Sequence, residues 1–312
     1  MHVDLIGDIH GHAYALVALL NKLGYQWQRG AYRHPERRVV FVGDYIDRGP
    51  NALEVLEIVR AMVEEGQAVA LMGNHEYNAV CFHTPKEGGG YLRPHTYKNI
   101  MQHLPTLKSL DTRKGQLDFW VGWFRQLPLY LETEGFRAIH ACWSKKQLEV
   151  LQQFGVADTI PESLWADTAN EKHPLFTAVE ILLKGLELPL PEGAFFRDKD
   201  GHKRERVRAK WWVDPSEKKY GELLVAHAPD PQLAPVQDLP VSVGAADPQD
   251  VYPNADKPVF FGHYWLKAPQ PILFPESQKV GCLDFSVAKN GFLTAYRFDG
   301  ESYLDPAKFV WV

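Results

Sequence analysis

The chain has 312 residues, 45% hydrophobic and 23% charged, with a formal net charge of −5. That length accommodates one large domain or a core with a substantial insertion, and the composition is ordinary for a globular protein. A modest negative charge gives no general pull toward nucleic acid or an anionic lipid surface, so any phosphate-binding function must reside in a local site. Cys81, Cys142 and Cys282 are widely separated and form no CxxC pair, so they read as reduced thiols rather than a disulfide framework. The opening MHVDLIGDIHGH lacks a basic stretch followed by a long apolar run and reads as a core strand instead of a signal peptide. No apolar run is long enough to span a membrane. A cytoplasmic protein is the expectation.

In chain order, Val3 to Ile6 is a short apolar run closed by Gly7. Residues 13–23 carry apolar side chains at helical spacing and stop at Gly24, a good helix terminator. Val39 to Val42 reads as a second buried strand, closed by Gly43. Pro50 stands where a first helical turn tolerates it, and NALEVLEIVRAMVEE predicts a helix running to Gly66. Ala68 to Met72 is a third strand run, closed by Gly73. This βαβαβ order predicts a parallel sheet with right-handed crossovers, an α/β fold.

Residues 84–95 (TPKEGGGYLRPH) suggest a loop or lid, and helices are expected between about 97 and 126. Strands are expected at Leu129–Glu132 and Phe136–Ile139. From 144 to 256 the texture changes to many prolines, a Trp211-Trp212 pair and the charged stretch DKDGHKRERVRAK. This segment reads as an insertion or cap subdomain, leaving 1–143 and 257–312 as the core. β-Structure closes the chain at Pro258–Phe261, Val280–Phe285, Phe292–Phe298 and Lys308–Val312.

Several clusters share one design, an apolar strand followed by polar groups at its carboxyl end. They are Gly7-Asp8-Ile9-His10-Gly11, Gly43-Asp44-Tyr45-Ile46-Asp47-Arg48-Gly49, Gly73-Asn74-His75-Glu76, then His140 and His263 after later strands. If the chain stays extended past Ile6, Asp8 and His10 point to the same side, and a carboxylate with an imidazole makes a serviceable ligand pair. In a parallel sheet the carboxyl ends of the strands form the ligand crevice. Each cluster alone is a polar strand-end turn; together, in this order, they describe a site.

On these motifs, GDxHG, GDxxDRG, GNHE and two later histidines, the sequence resembles the calcineurin-like metallophosphoesterase superfamily over roughly residues 1–83, 138–143 and 258–298. The resemblance implies a β-sandwich flanked by helices. It implies that Asp8 and His10 hold one divalent ion, that Asp44 bridges two, and that Asn74, His140 and His263 complete the second. It implies His75 as the acid for the leaving oxygen, Asp47 as the residue that orients it, and Arg48 as a phosphate ligand, with Asn74 also near substrate. The donor set suits Mn²⁺, Fe, Zn²⁺ or Co²⁺, and the resemblance favours Mn²⁺.

Many superfamily members end in GHxH, whereas Trp265 stands in the last place here, which resembles the phosphoprotein phosphatase branch. That branch includes Ser/Thr protein phosphatases and bacterial symmetrical diadenosine tetraphosphatases. The complete DRG motif with Asp47 leans to the protein phosphatases; FFGHYW and the tail from Leu283-Asp284 to Arg297 lean to the dinucleotide hydrolases. Arg204, Arg206, Arg208 and Lys210 alternate, so an extended strand gathers them on one face. That face either protects a solvated edge or, through Arg208, reaches a second phosphate. His12 reads as the opening of a helix, His83 and His95 as surface polarity, the Trp211-Trp212 pair as packing, and His227 as an imitation of a ligand position. Three functions follow. The first is a phosphomonoesterase acting on phosphoprotein or a small phosphate ester. The second is a hydrolase of diadenosine tetraphosphate or a related nucleotide, and the third a non-catalytic binding module that keeps the metal site as scaffold.

Overall fold

The computed structural model describes residues 2–110, 115–197, 203–225, 233–242, 244–253 and 255–312. Its larger sheet runs in the order Asp284–Phe285, Phe292–Phe298, Val3–Ile6, Arg38–Phe41, Ala68–Ala70, with Phe309–Trp311 also paired to Phe292–Phe298. The three early strands are parallel, with Leu5 opposite Val40 and Val40 opposite Val69, as the βαβαβ reading requires. Phe292–Phe298 joins antiparallel on the other side of Val3–Ile6, with Leu5 opposite Tyr296. A second sheet has the order Val280–Cys282, Val259–Phe261, Arg137–Ile139, Tyr130–Glu132.

Side-chain alternation makes these sheets a sandwich. Val3, Leu5, Val40, Val42 and Leu71 share one buried cluster with Ala138, Phe260, Tyr296 and Phe298. The alternate positions Ile6, Val39, Phe41 and Ala70 belong to the other cluster, with Leu16, Leu19, Leu20 and Val55 from the helices. Buried on both faces, these strands read as near-continuous apolar runs rather than alternating ones; the buried exception, Asp4, accepts from Arg37 Nε and the Tyr25 hydroxyl at 3.0 Å.

The helix Ala13–Leu23 matches its spacing and is closed by Gly24, after which the Tyr25 N–H returns to the Leu20 carbonyl. The next helix, Ala52–Glu64, starts after Asn51, so Pro50 lies just outside it instead of in its first turn. The third strand run pairs only over Ala68–Ala70; it is an edge, and Val69 is partly exposed. The hairpin Gln26–Gln28/Ala31–Arg33 was not anticipated. Its turn residues Arg29 and Gly30 both have positive φ, a primed turn written with Arg in place of the usual Asn or Asp.

Between the sheets' contributions, residues 144–256 supply the helices Lys145–Gln153 and Pro174–Lys184 and two short ladders. In these, Glu187–Pro189 pairs with Arg206–Arg208, and Phe196–Arg197 with Lys203–Arg204. Trp211 and Trp212 are buried, with ring centroids 5.3 and 5.2 Å from Phe261, and Trp211 Nε1–H donates to the Ala141 carbonyl at 2.9 Å. They are packing residues that tie this segment to the strand leading into His263. Among the described residues, no helix is long and apolar enough to cross a membrane.

Candidate functional site

The site lies where the strands end and the backbone turns. Ile9 and His10 donate their N–H groups to the Asp44 carbonyl, and Gly11 to that of Tyr45. The first two motifs are thereby stitched together before any side chain is counted. The chain is not extended past Ile6: His10 has φ 48°, and this turn, rather than strand alternation, brings its Nε2 to 4.0 Å from Asp8 Oδ2. Positive φ recurs at Asp44 (57°), Asp47 (66°), Arg48 (63°), His263 (72°) and Trp265 (54°). Such backbone costs of order 1–3 kcal/mol per residue and persists only where the surroundings over-determine it. Close approach explains the motif glycines: a Cβ on Gly262 would lie 1.9 Å from Asp8 Oδ1, and one on Gly73 would lie 2.2 Å from the Asp44 nitrogen.

Asp44 is the centre. Its Oδ2 lies 3.6 Å from His10 Nε2 and 3.9 Å from His75 Nε2, while Oδ1 lies 3.5 Å from His140 Nε2 and accepts the His75 N–H at 2.9 Å. Two groups of donor atoms therefore share it: His10, Asp44 and His75, and Asp44, His140 and His263, each with its ligand atoms within 4.8 Å of one another. Asn74 Oδ1 sits 3.1 Å from His140 Nε2 and 2.8 Å from His263 Nδ1. Asp8 accepts the His263 N–H at 3.2 and 3.1 Å.

The chemistry of this corner asks for cations. His10 Nδ1 is 3.0 Å from the Ile46 carbonyl and His140 Nδ1 is 2.9 Å from that of Val42. Those nitrogens carry the protons, so each Nε2 presents a lone pair inward. His10 Nε2 and His263 Nε2 are buried without a hydrogen-bond partner. Burial pushes His10 down to about 3 and His263 well below the usual imidazole range, so both rings are neutral near pH 7. Burial, then Asp284 and Asp44, push the Asp8 carboxyl well up. Neutral imidazoles beside buried, mutually repelling carboxylates are unfavourable alone and well suited to divalent metal.

Asp47, His75 and Arg48 flank this cluster. His75 Nδ1 is 2.5 Å from Asp47 Oδ2. Burial opposes the charged imidazolium, but Asp44 and the Asp47 hydrogen bond outweigh it and raise His75. Burial likewise opposes the Asp47 carboxylate, yet hydrogen bonds from His103 and His75 hold it far below its usual range. The Arg48 guanidinium lies 3.6 Å from the centre of the Trp265 ring, and Lys289 Nζ lies 4.0 Å from it. The indole that replaces a second histidine is thus a platform for cations.

Arg208 is not part of this assembly. It stands on the strand Arg206–Arg208 with Val207 buried and its own side chain 46% exposed, its Nε 3.9 Å from Glu187 Oε1. With Arg204 and Arg206 it lines a cavity of about 550 Å³, and with Arg206 and Lys184 another of about 510 Å³. Its charge acts on His263, while neither cavity is lined by Asp8, His10, Asp44, Asn74, His140 or His263.

Some residues of the site escaped the sequence reading. Glu76 is fully buried; Oε2 accepts the N–H groups of Gly73 and Asp44, and Oε1 those of Tyr45 and Ile46. Burial and then Asp44 push it up to about 8, against the pull of those N–H groups. Asp284 accepts the N–H groups of Trp265 and Ser286 and so holds the last turn. His103 and Thr106, from the helix Tyr97–Leu110, reach Asp47. Glu76 and Asp284 lie inside quoted motifs and were legible as buried acids; nothing in the sequence around His103 singles it out. His12 is the residue before the first helix, as expected. His83 is half-buried rather than a surface residue, its Nε2 3.1 Å from His103 Nε2; His95 is exposed, as expected, with Nε2 2.7 Å from the Phe82 carbonyl and its ring stacked on Phe82 and Tyr91. His227 lies outside the described residues.

Comparison with known proteins supports the same conclusion. Over 76 residues the chain is 49% identical to the asymmetrical bis(5'-nucleosyl)-tetraphosphatase PrpE of Halalkalibacterium halodurans, covering 24% of this chain and 31% of that protein. The protein of the same name from Oceanobacillus iheyensis is 33% identical over 142 residues, covering 45% of this chain and 55% of that one. The chain therefore spans about a third to a half of these relatives' length. A protein serine/threonine phosphatase from Saccharomyces cerevisiae shares the fold with a TM-score of 0.51 at 12% identity, covering 100% of this chain and 79% of that one. Residues 1–180 match the family model for calcineurin-like phosphoesterases, which is more than half of the 312 residues. The chain belongs to the calcineurin-like phosphoesterase family.

Proposed function

We propose that this enzyme is a phosphomonoesterase of the phosphoprotein phosphatase type that works with two divalent ions, manganese by preference. The supporting observation is Asp44, whose two carboxylate oxygens face separate groups of buried ligand atoms. Asp8, His10 and Asp44 would hold one ion; Asp44, Asn74, His140 and His263 the other. When bound, such a pair supplies charge neutralisation at the phosphoryl oxygens and a nucleophile at neutral pH. The rest is done by side chains. Arg48, braced on Trp265, pairs its N–H groups with phosphate oxygens, and the Asn74 carboxamide lies beside them. As water adds to phosphorus and the P–O bond breaks, the His75 Nε2 proton goes to the departing oxygen while Asp47 keeps its hold on Nδ1.

The acid pair favours esters over anhydrides. An alkoxide or phenoxide leaves poorly without a proton, whereas a nucleotide phosphate leaves well as an anion. Segment 144–256 is the cap subdomain in this reading, on a core of 1–143 and 257–312, and its exposed loops set substrate choice. The buried, unpaired thiols of Cys81, Cys142 and Cys282 fit a cytoplasmic setting.

A second reading has its own support. Relatives over part of the chain are named bis(5'-nucleosyl)-tetraphosphatases, and Arg206 and Arg208 line two cavities whose cationic walls suit a polyphosphate. The deciding assay sets the Mn²⁺-loaded protein against a phosphopeptide, an aryl monoester, an aryl diester and diadenosine tetraphosphate. The expected result is the highest kcat/KM on a monoester. A higher value on diadenosine tetraphosphate, with nucleotide products, replaces this reading by the second. No turnover of any of them leaves a non-catalytic binding module.

A further inference from the structure

The acid pair does not end at Asp47. Its Oδ2 lies 2.5 Å from His75 Nδ1 and its Oδ1 takes two further bonds, from His103 Nδ1 at 2.9 Å and Thr106 Oγ1–H at 2.6 Å. Thr106 Oγ1 accepts in turn from the Asp47 backbone N–H at 2.8 Å. His103 and Thr106 are both buried, one turn apart on the same helix. Behind them, His103 Nε2 faces Nε2 of the half-buried His83 at 3.1 Å.

The carboxylate fixes the proton positions on its own side. A carboxylate only accepts, so His75 Nδ1, His103 Nδ1 and Thr106 Oγ1 all donate to Asp47. Across the 3.1 Å between His103 Nε2 and His83 Nε2, one nitrogen donates and the other accepts. Burial and the neighbouring His103 and His95 push His83 down to about 4, so it is neutral near pH 7. The remaining charged neighbours hold the arrangement. Arg93, bonded to Asn78, Asn99 and Gln102, brings positive charge to the same wall as Asp47. Asp118 acts on His83, and Asp44 and Arg48 act on His75.

We propose that His103, with Thr106 and backed by His83, is a positioning residue for the leaving-group acid: it fixes the Asp47 carboxylate and thereby keeps the His75 Nε2–H aimed into the metal corner. This rests on the reading of His75 as the acid. Geometry that serves proton delivery matters most where the leaving oxygen is strongly basic. Loss of His103 therefore penalises poor leaving groups selectively, which a merely structural role would not do.

The experiment compares kcat and KM of the Mn²⁺-loaded enzyme on 4-nitrophenyl phosphate and on an alkyl ester, a phosphoserine peptide, with metal content and melting temperature recorded for each variant. His103→Leu is expected to lower kcat on the alkyl ester by roughly 10–100-fold, the range for an outer-shell residue, and at least about tenfold more than on the aryl ester, with KM little changed. His103→Asn places an amide N–H where Nδ1 stood and is expected to recover most of the loss. Equal losses on both esters, or an Asn variant as impaired as the Leu variant, overturn the proposal. If His103→Leu does not fold, Thr106→Val and His83→Gln decide: the same leaving-group bias at smaller size upholds it, and a uniform loss overturns it. Failure of the wild-type enzyme on both esters would instead defeat the phosphomonoesterase reading itself, a separate outcome read before any variant.

Discussion

The metal corner and the arginine-bearing ladder both gather charge, and they do so in opposite ways. At the corner, Asp8, Asp44 and Glu76 are buried to within 2% exposure, and their loops are bonded backbone to backbone. On the ladder, Arg206 and Arg208 project outward from either side of buried Val207, with the Glu187 carbonyl as a partner for one and its carboxylate 3.9 Å from the other. Buried charge without a counter-ion must be answered by a ligand. Exposed charge is answered by water and salt, and can contribute selectivity but little stability. The corner would thus define the reaction and the ladder the choice among substrates.

The largest effect that could break this contrast is expected from Asp44→Asn. Losing the carboxylate that both donor groups share should take turnover to background and sharply lower the metal content of the purified protein. His75→Asn should follow, with kcat down by roughly 10²–10⁴-fold and metal content retained. That split between chemistry and metal loading separates the acid from the ligands. Glu76→Gln touches no inward-facing ligand atom but weakens the acceptor for the N–H groups of residues 73 and 44–46. Metal affinity should fall by about 10–100-fold, as for other outer-shell substitutions, and excess metal should restore turnover; an unaffected affinity would mean the loops hold themselves.

The ladder should respond more gently. For Arg208→Ala, KM for diadenosine tetraphosphate should rise about tenfold, or about 1.4 kcal/mol, relative to that for an aryl monoester. An unchanged ratio would make the stripe a solvated edge. The smallest effect concerns acid stability at a rim ion pair. The hydrogen bond from Arg137, 2.5 Å from Asp256, holds that exposed carboxyl below its usual range. A depressed folded-state value stabilises above the unfolded pKa of about 3.9 and is lost as pH falls through the folded value. Asp256→Asn should therefore cost only about 0.5 kcal/mol near neutral pH after solvent screening, a difference that shrinks in melts toward pH 3.

What the sequence determined by itself was local. Strand runs, the helix Ala13–Leu23 and the polar residues after each strand follow from periodicity and glycine placement, because those forces act between near neighbours. The residues gathered around Asp44 were legible because each sits at a strand end, where the order of strands alone sends it to one edge. Only the tertiary structure decided the rest. His10 reaches Asp8 through a turn with positive φ, which the backbone bonds to Asp44 and Tyr45 impose from another strand. Trp265 became a platform for Arg48 because two loops more than two hundred residues apart meet there. His103 found Asp47 because a helix with no motif of its own packs behind the Asp47–His75 pair, 56 residues along the chain. Such contacts depend on where elements settle against one another, and no neighbour in the sequence carries that information.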